Sequence, residues 1–221
     1  GRLWPGYTPA TWSSDSARLM TVRRDRRQVL TTPLIEHVPA DGSIRPKLTM
    51  CKVAYPGDEH IETFQLLSID ISNGKQCVAN YPPMNTGYGH QWGPFEARLA
   101  WWADNNRVAY CIEQERGDRV LRLLAFDMKT GDTRIVFEEN SDTHINLLPE
   151  FTTTPLHRYL PGSNQLIWWS QRSGWGHLYL YDLATGESIR TLTAGDWVVR
   201  DALFVDEPRR EIIIQTAGRV A

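Results

Sequence analysis

Residues 173–197 read SGWGHLYLYDLATGESIRTLTAGDW, and the run from His177 to Thr193 decides the fold. His177-Leu178-Tyr179-Leu180-Tyr181-Asp182 alternates leucines with tyrosines. Leu178 and Leu180 therefore share one face of a strand, and Tyr179 and Tyr181 share the other. Ala184-Thr185-Gly186-Glu187 is a turn, because Gly186 reaches positive φ without steric cost. Ser188-Ile189-Arg190-Thr191-Leu192-Thr193 returns as a strand, so the unit is a β-hairpin.

The hairpin recurs in Phe64–Lys75 and in Arg122–Asp132. In each copy an Asp closes the first strand and a Gly follows four residues later. Asp70, Asp127 and Asp182 stand 57 and 55 residues apart, and a period of about 50 is that of a propeller with one four-stranded sheet per repeat. A second hairpin precedes each copy, in Trp12–Val22, Trp102–Tyr110 and Tyr159–Trp169, and Phe204–Ile214 begins a fourth. The expected fold is all-β, a partial β-propeller of about three and a half four-stranded blades. Residues 1–221 form one segment, with blades near 9–80, 97–140 and 155–196 and a half blade at 199–217.

An insertion at 28–61 lies inside the first blade. Pro33, Pro39, Pro46 and Pro56 punctuate it, and Leu34–Val38 and Lys47–Val53 read as strands. Excursions of this length from a blade serve contacts with a partner domain or a ligand.

The bulk numbers exclude several classes. Of 221 residues 23% are charged, and the net charge of −2 gives no basic excess for nucleic acid. Arg23, Arg24, Arg26 and Arg27 form a basic run, but Asp25 interrupts it and we read it as a solvated strand end. No apolar run approaches the roughly 18 residues of a membrane span, and the start lacks a signal-peptide core. Gly1-Arg2-Leu3 has no initiator Met, so that lack says nothing about the parent gene. Cys51, Cys77 and Cys111 show no C-x-x-C spacing and read as free thiols, with no metal and no cofactor implied. The Trp101-Trp102 and Trp168-Trp169 pairs read as packing layers between blades, one ring to each face.

No catalytic residue emerges. The nearest approach to G-x-S-x-G is Gly186-Glu187-Ser188-Ile189-Arg190, which sits in a hairpin turn and ends in Arg, so the nucleophile elbow is missing. His37, His60, His90, His144, His157 and His177 form no H-x-x-x-H pair, and His177 reads as a structural hydrogen-bonding residue. Glu138-Glu139 could bind an amine, but we read it as a solvated turn after the second blade.

Four segments, taken in order, resemble the amino-terminal propeller of the dipeptidyl peptidase IV family and its bacterial relatives, in the prolyl oligopeptidase clan. They are Thr11–Ser16, Tyr55-Pro56-Gly57 leading to Phe64–Asp70, Trp168–Asp182, and Leu192–Val199. Ile44-Arg45-Pro46-Lys47 and Ser141-Asp142-Thr143 look like the bacterial branch. The resemblance implies a parent serine exopeptidase that removes dipeptides from peptide amino termini, often after proline. It implies a triad in an α/β-hydrolase domain of the same parent chain, with peptide as substrate, and it favours a periplasmic or secreted parent. The family's paired glutamates sit shortly before the segment matching Trp12, where Gly1-Arg2-Leu3-Trp4-Pro5 has no Glu. The anchor then lies upstream, or this branch uses another. The family also places an aromatic side chain facing the active site ahead of the third blade. Phe151 stands there, with ordinary blade packing as the alternative reading.

Three functions are consistent with these residues. The first is a non-catalytic propeller that gates and walls the substrate chamber of such a peptidase. The second is a stand-alone propeller that binds protein or carbohydrate. The third is another propeller enzyme, such as a glycosidase, whose carboxylates would have to converge in the central channel. Open blade edges at both ends lead us to expect a homo-oligomer.

Overall fold

The computed structural model describes residues 10–85, 95, 98–149 and 155–218. Within them the first sheet begins with β1 (Ala10–Trp12) and β2 (Arg18–Asp25). The chain then leaves the sheet for a separate hairpin, β3 (Thr31–Glu36) paired with β4 (Lys47–Lys52). It returns as β5 (Thr63–Asp70) and β6 (Gln76–Val78), giving an antiparallel order β1-β2-β5-β6. The second sheet is a meander of β7 (Ala100–Trp102), β8 (Val108–Gln114), β9 (Val120–Asp127) and β10 (Thr133–Asn140). The third repeats it with β11 (His157–Leu160), β12 (Gln165–Ser170), β13 (His177–Asp182) and β14 (Ser188–Thr191). A two-stranded sheet follows, β15 (Val198–Asp206) with β16 (Glu211–Ala217). The chain is all-β, with no helix among the described residues, and the sheets form a partial propeller.

The recurrent Asp and Gly explain the repeated turn. The Gly74, Gly131 and Gly186 amides donate to the carbonyls of Asp70, Asp127 and Asp182 at 2.8, 2.7 and 2.8 Å, with φ of 70°, 83° and 81°. Each Asp carboxylate meanwhile accepts from backbone amides inside its turn, Ser72 at 3.0 Å, Lys129 at 2.9 Å and Ala184 at 2.7 Å. One residue type caps the turn and the other supplies its left-handed position.

Strand alternation then sorts side chains between neighbouring sheets. Tyr110, Ile112, Leu123, Leu166, Trp168, Tyr179 and Tyr181 bury between the second and third sheets. Ala109, Cys111, Leu124 and Phe126 turn the other way, onto Met20 and Leu66 of the first. Ile167, Trp169, Leu178 and Leu180 pack on Val199 and Ala202 of the fourth. Sheets buried on both faces read as near-continuous apolar runs, as β9 and β13 do. Of the tryptophan pairs, Trp101 faces the third sheet and Trp102 the first.

The basic run is a strand end with Arg23, Arg24 and Arg27 exposed, but it is more than solvated charge. Arg24 and Arg26 both pair with Glu62, which is only 4% exposed, and Arg27 pairs with Asp25 at 2.6 Å. Lys52 donates to the Arg26 and Arg27 carbonyls at 2.7 and 2.9 Å, and Arg26 donates back to the Lys52 carbonyl. Arg116 of the second sheet also donates to the Tyr55 and Asp58 carbonyls. The run is therefore the clamped root of the β3–β4 hairpin. Arg27 is paired locally with Asp25, but Arg24 and Arg26 find partners 26 to 38 residues away, which no local pattern reveals.

Candidate functional site

Of the residues the sequence singled out, the seam between the second and third sheets brings together Trp101, Glu139, His157 and Trp168, while Phe151, His90 and Gly1–Pro5 lie outside the described residues. Glu138 and Glu139 are not a turn: both lie within β10. Successive strand residues face opposite ways, so the two carboxylates serve different neighbours.

Glu138 joins a cluster on Arg122, its cross-strand partner on β9. Arg122 donates to Glu138 and Glu115, and lies 3.4 Å from Glu113, whose other contact is the Tyr81 hydroxyl at 2.6 Å. Burial works against the Arg122 charge, but Glu115 and Glu138 outweigh it and raise its pKa. Burial and then the hydrogen bond to Glu113 push Tyr81 up to about 12.

Glu139 crosses the seam. Its Oε1 accepts from the Ser170 hydroxyl. Its Oε2 accepts from Trp168 Nε1 at 3.3 Å and Arg172 Nη2 at 2.9 Å. Arg172 also donates to the Tyr181 hydroxyl at 2.6 Å and stacks its guanidinium 4.4 Å from the centre of the Tyr179 ring. Burial opposes the Arg172 charge, while Glu139 and Tyr181 raise its pKa on balance, so the guanidinium keeps its charge. Phe137 closes the seam, stacked 4.1 Å from Tyr181 and edge-on to Trp168.

An aromatic column continues from there. His157 is the cross-strand partner of Trp168, with ring centres 6.3 Å apart, and stacks on Trp101 at 4.3 Å. Burial holds the His157 pKa down to about 4, so the ring is neutral near pH 7. Tyr110 and Tyr159 extend the column to the turn side, where the seam opens into a cleft of about 730 Å³. Asp104, Asp132, Arg134 and Asn164 line it with the two tyrosines.

The chemistry available here is that of a joint. Ser170 touches both a carboxylate and an arginine, but it is 2% exposed and cannot be presented to a substrate as a nucleophile. His177 is likewise structural, bound to Thr193 Oγ1 at 3.0 Å and the Gly195 carbonyl at 2.8 Å. Among the described residues no group of His, Cys, Asp and Glu could hold a metal. Sequence reasoning missed Arg172 and the neutral His157. Their only local signal was a polar residue beside a Trp or apolar run, which many solvated positions share.

Stacked four-stranded antiparallel sheets, joined through aromatic seams, define a segment of a β-propeller. The chain belongs to the family described as "Dipeptidyl peptidase IV (DPP IV) N-terminal region", which residues 7–219 match. Among solved structures, Porphyromonas gingivalis dipeptidyl peptidase 4 is similar with a TM-score of 0.72 and 17% identity, over 95% of this chain and 27% of that one. A Bacteroides ovatus protein described as a candidate dipeptidyl aminopeptidase IV gives 0.65 and 19%, over 94% and 30%. At these identities the likeness shows the fold. Curated relatives from Aspergillus fumigatus and Neosartorya fischeri, each named "Probable dipeptidyl peptidase 4", are 49% identical over 41 residues. That stretch is 19% of this chain and 5% of theirs, so the chain matches a small part of those proteins.

Proposed function

We propose that the chain is the non-catalytic propeller portion of a dipeptidyl-peptidase-IV-like serine exopeptidase, where it gates and walls the substrate chamber beside an α/β-hydrolase domain. The family match over residues 7–219 carries this reading. The seam supports it physically, since clamped ion pairs and stacked rings make stiff walls. The isolated chain should neither hydrolyse a Xaa-Pro chromogenic dipeptide nor react with a fluorophosphonate probe. Stoichiometric labelling of any serine would overturn the non-catalytic assignment. In the parent enzyme, Arg172→Leu loosens the wall and should raise hydrolysis of bulky peptides relative to the small chromogen. An unchanged ratio would overturn the wall.

The second reading, a stand-alone module that binds protein or carbohydrate, is favoured by the rim cleft, whose tyrosines, carboxylates and amides suit polar ligands. A hydrolase segment in the same reading frame would decide for the first. We also infer that the 221-residue chain by itself forms a homo-oligomer through the apolar side chains exposed on its outer sheets.

A further inference from the structure

Six non-glycine residues among those described have positive φ. Ser16, Asn106, Asp118, Asn164 and Arg210 sit in hairpin turns, where the reversal of the chain demands it. Arg98, with φ of 54°, does not: it lies in the connection that leads into β7. A left-handed arginine costs roughly 1–2 kcal/mol and persists only if its surroundings hold it.

The group that holds it comes from the next sheet. His157 Nε2 lies 2.8 Å from the Arg98 carbonyl oxygen. A carbonyl only accepts, so the ring carries its proton on Nε2 and leaves Nδ1 as a bare acceptor. That Nδ1 is buried without a partner, and so is the indole Nε1 of Trp101 stacked against it. A phenylalanine would fill the same slot between Trp101 and Trp168 with no orphaned nitrogen of its own. What histidine adds over phenylalanine is the single hydrogen bond to Arg98.

We propose that His157 is a positioning residue that clips the Arg98 carbonyl, keeps Arg98 left-handed, and so fixes how the connection between the first and second sheets feeds β7. The next residue, Leu99, drops into the core at 1% exposure, and its carbonyl takes the Ile112 amide at 2.7 Å. The imidazole grips this segment at two points three residues apart, the Arg98 carbonyl and the Trp101 ring. Resting on the chamber-wall reading, the clip sets the shape of the wall where the second and third sheets meet, while the exposed Arg98 side chain faces solvent.

The test uses the 221-residue chain and amide hydrogen exchange at Arg98 and Ile112, whose amides donate to the Phe95 and Leu99 carbonyls. His157→Phe should speed exchange there about tenfold, whereas His157→Gln, which keeps an N–H donor, should restore most of the protection. Arg98→Gly should rescue His157→Phe, because glycine adopts the left-handed conformation without holding. Nitrogen-resolved NMR of the wild-type imidazole should show the Nε2–H tautomer. Unchanged exchange in His157→Phe, equal acceleration in the Phe and Gln variants, failed rescue, or an Nδ1–H tautomer would each overturn the clip. The tautomer decides even if His157→Phe does not fold. In the parent peptidase, His157→Phe should raise KM with kcat nearly unchanged. Faster exchange with KM unchanged would support the clip and overturn the wall reading.

Discussion

The imidazole of His157 sits between two indoles, and burial lowers its pKa from 6.5 to about 4. In the unfolded chain the ring takes a proton below about 6.5; in the folded chain it does so only below about 4. Between those values the unfolded state holds more protons, so stability rises with pH across the window and is lost as pH falls through it. At about 1.4 kcal/mol per pKa unit the loss is on the order of 3 kcal/mol by pH 4. Urea midpoints between pH 7 and 4 should fall more steeply for the wild type than for His157→Gln, and parallel curves would contradict this account. Cys111 offers a second test. Burial, then Glu113, pushes its thiol up to about 12, whereas Cys51 and Cys77 are half-buried. A thiol reagent should therefore leave Cys111 unmodified in the native chain and label it only after denaturation. Native labelling of Cys111 at the rate of the other two would refute its burial.

At the scale of elements, the Asp–Gly turns do more than close hairpins. A Cβ on Gly186 would lie 1.8 Å from the Val136 carbonyl oxygen, and one on Gly131 would lie 2.6 Å from that of Val78. Each turn thus seats on the last strand of the preceding sheet, while Gly74 has nothing within 4 Å. All three positions carry the left-handed cost of roughly 1–2 kcal/mol for alanine. Gly186→Ala adds a backbone clash, so we expect it to cost about 3–5 kcal/mol against about 1 for Gly74→Ala. Equal denaturant midpoints for the two variants would show that the turn does not seat as described. These turns were legible in the sequence because Asp, Gly and the alternating strand lie within ten residues. The Trp pairs were legible for the same reason, since neighbours on a strand must face opposite ways. Glu138 and Glu139 were misread as a turn because what fixes them is remote: Arg122 lies 16 residues away across a strand pair, and Arg172 lies 33 away across a seam. The left-handed Arg98 had no signal at all, as arginine carries no preference for that conformation.

Across the whole molecule, the seams bury one sheet against the next until the series stops. Val199 and Ala202 of the fourth sheet are buried on the third, but Leu203, Phe204 and Ile213 are 60%, 57% and 58% exposed. Among the described residues β15 pairs only with β16, so that sheet also offers backbone donors and acceptors on strands of nine and seven residues. At the other end, Gly74 meets no neighbouring sheet where Gly131 and Gly186 each do. Exposed apolar faces beside unpaired strand edges are the arrangement that draws chains together. The chain as it stands should therefore self-associate through its outer sheets. Light scattering after size exclusion should give a mass above the 25.3 kDa of one chain, rising with concentration. Phe204→Asp with Ile213→Lys places opposite charges on the exposed sheet while leaving Val199 and Ala202 in place, and should return the mass to that of the monomer without altering the near-ultraviolet signal of the buried tryptophans. A wild-type chain that is monomeric at every concentration would mean that these faces are covered from within the same molecule.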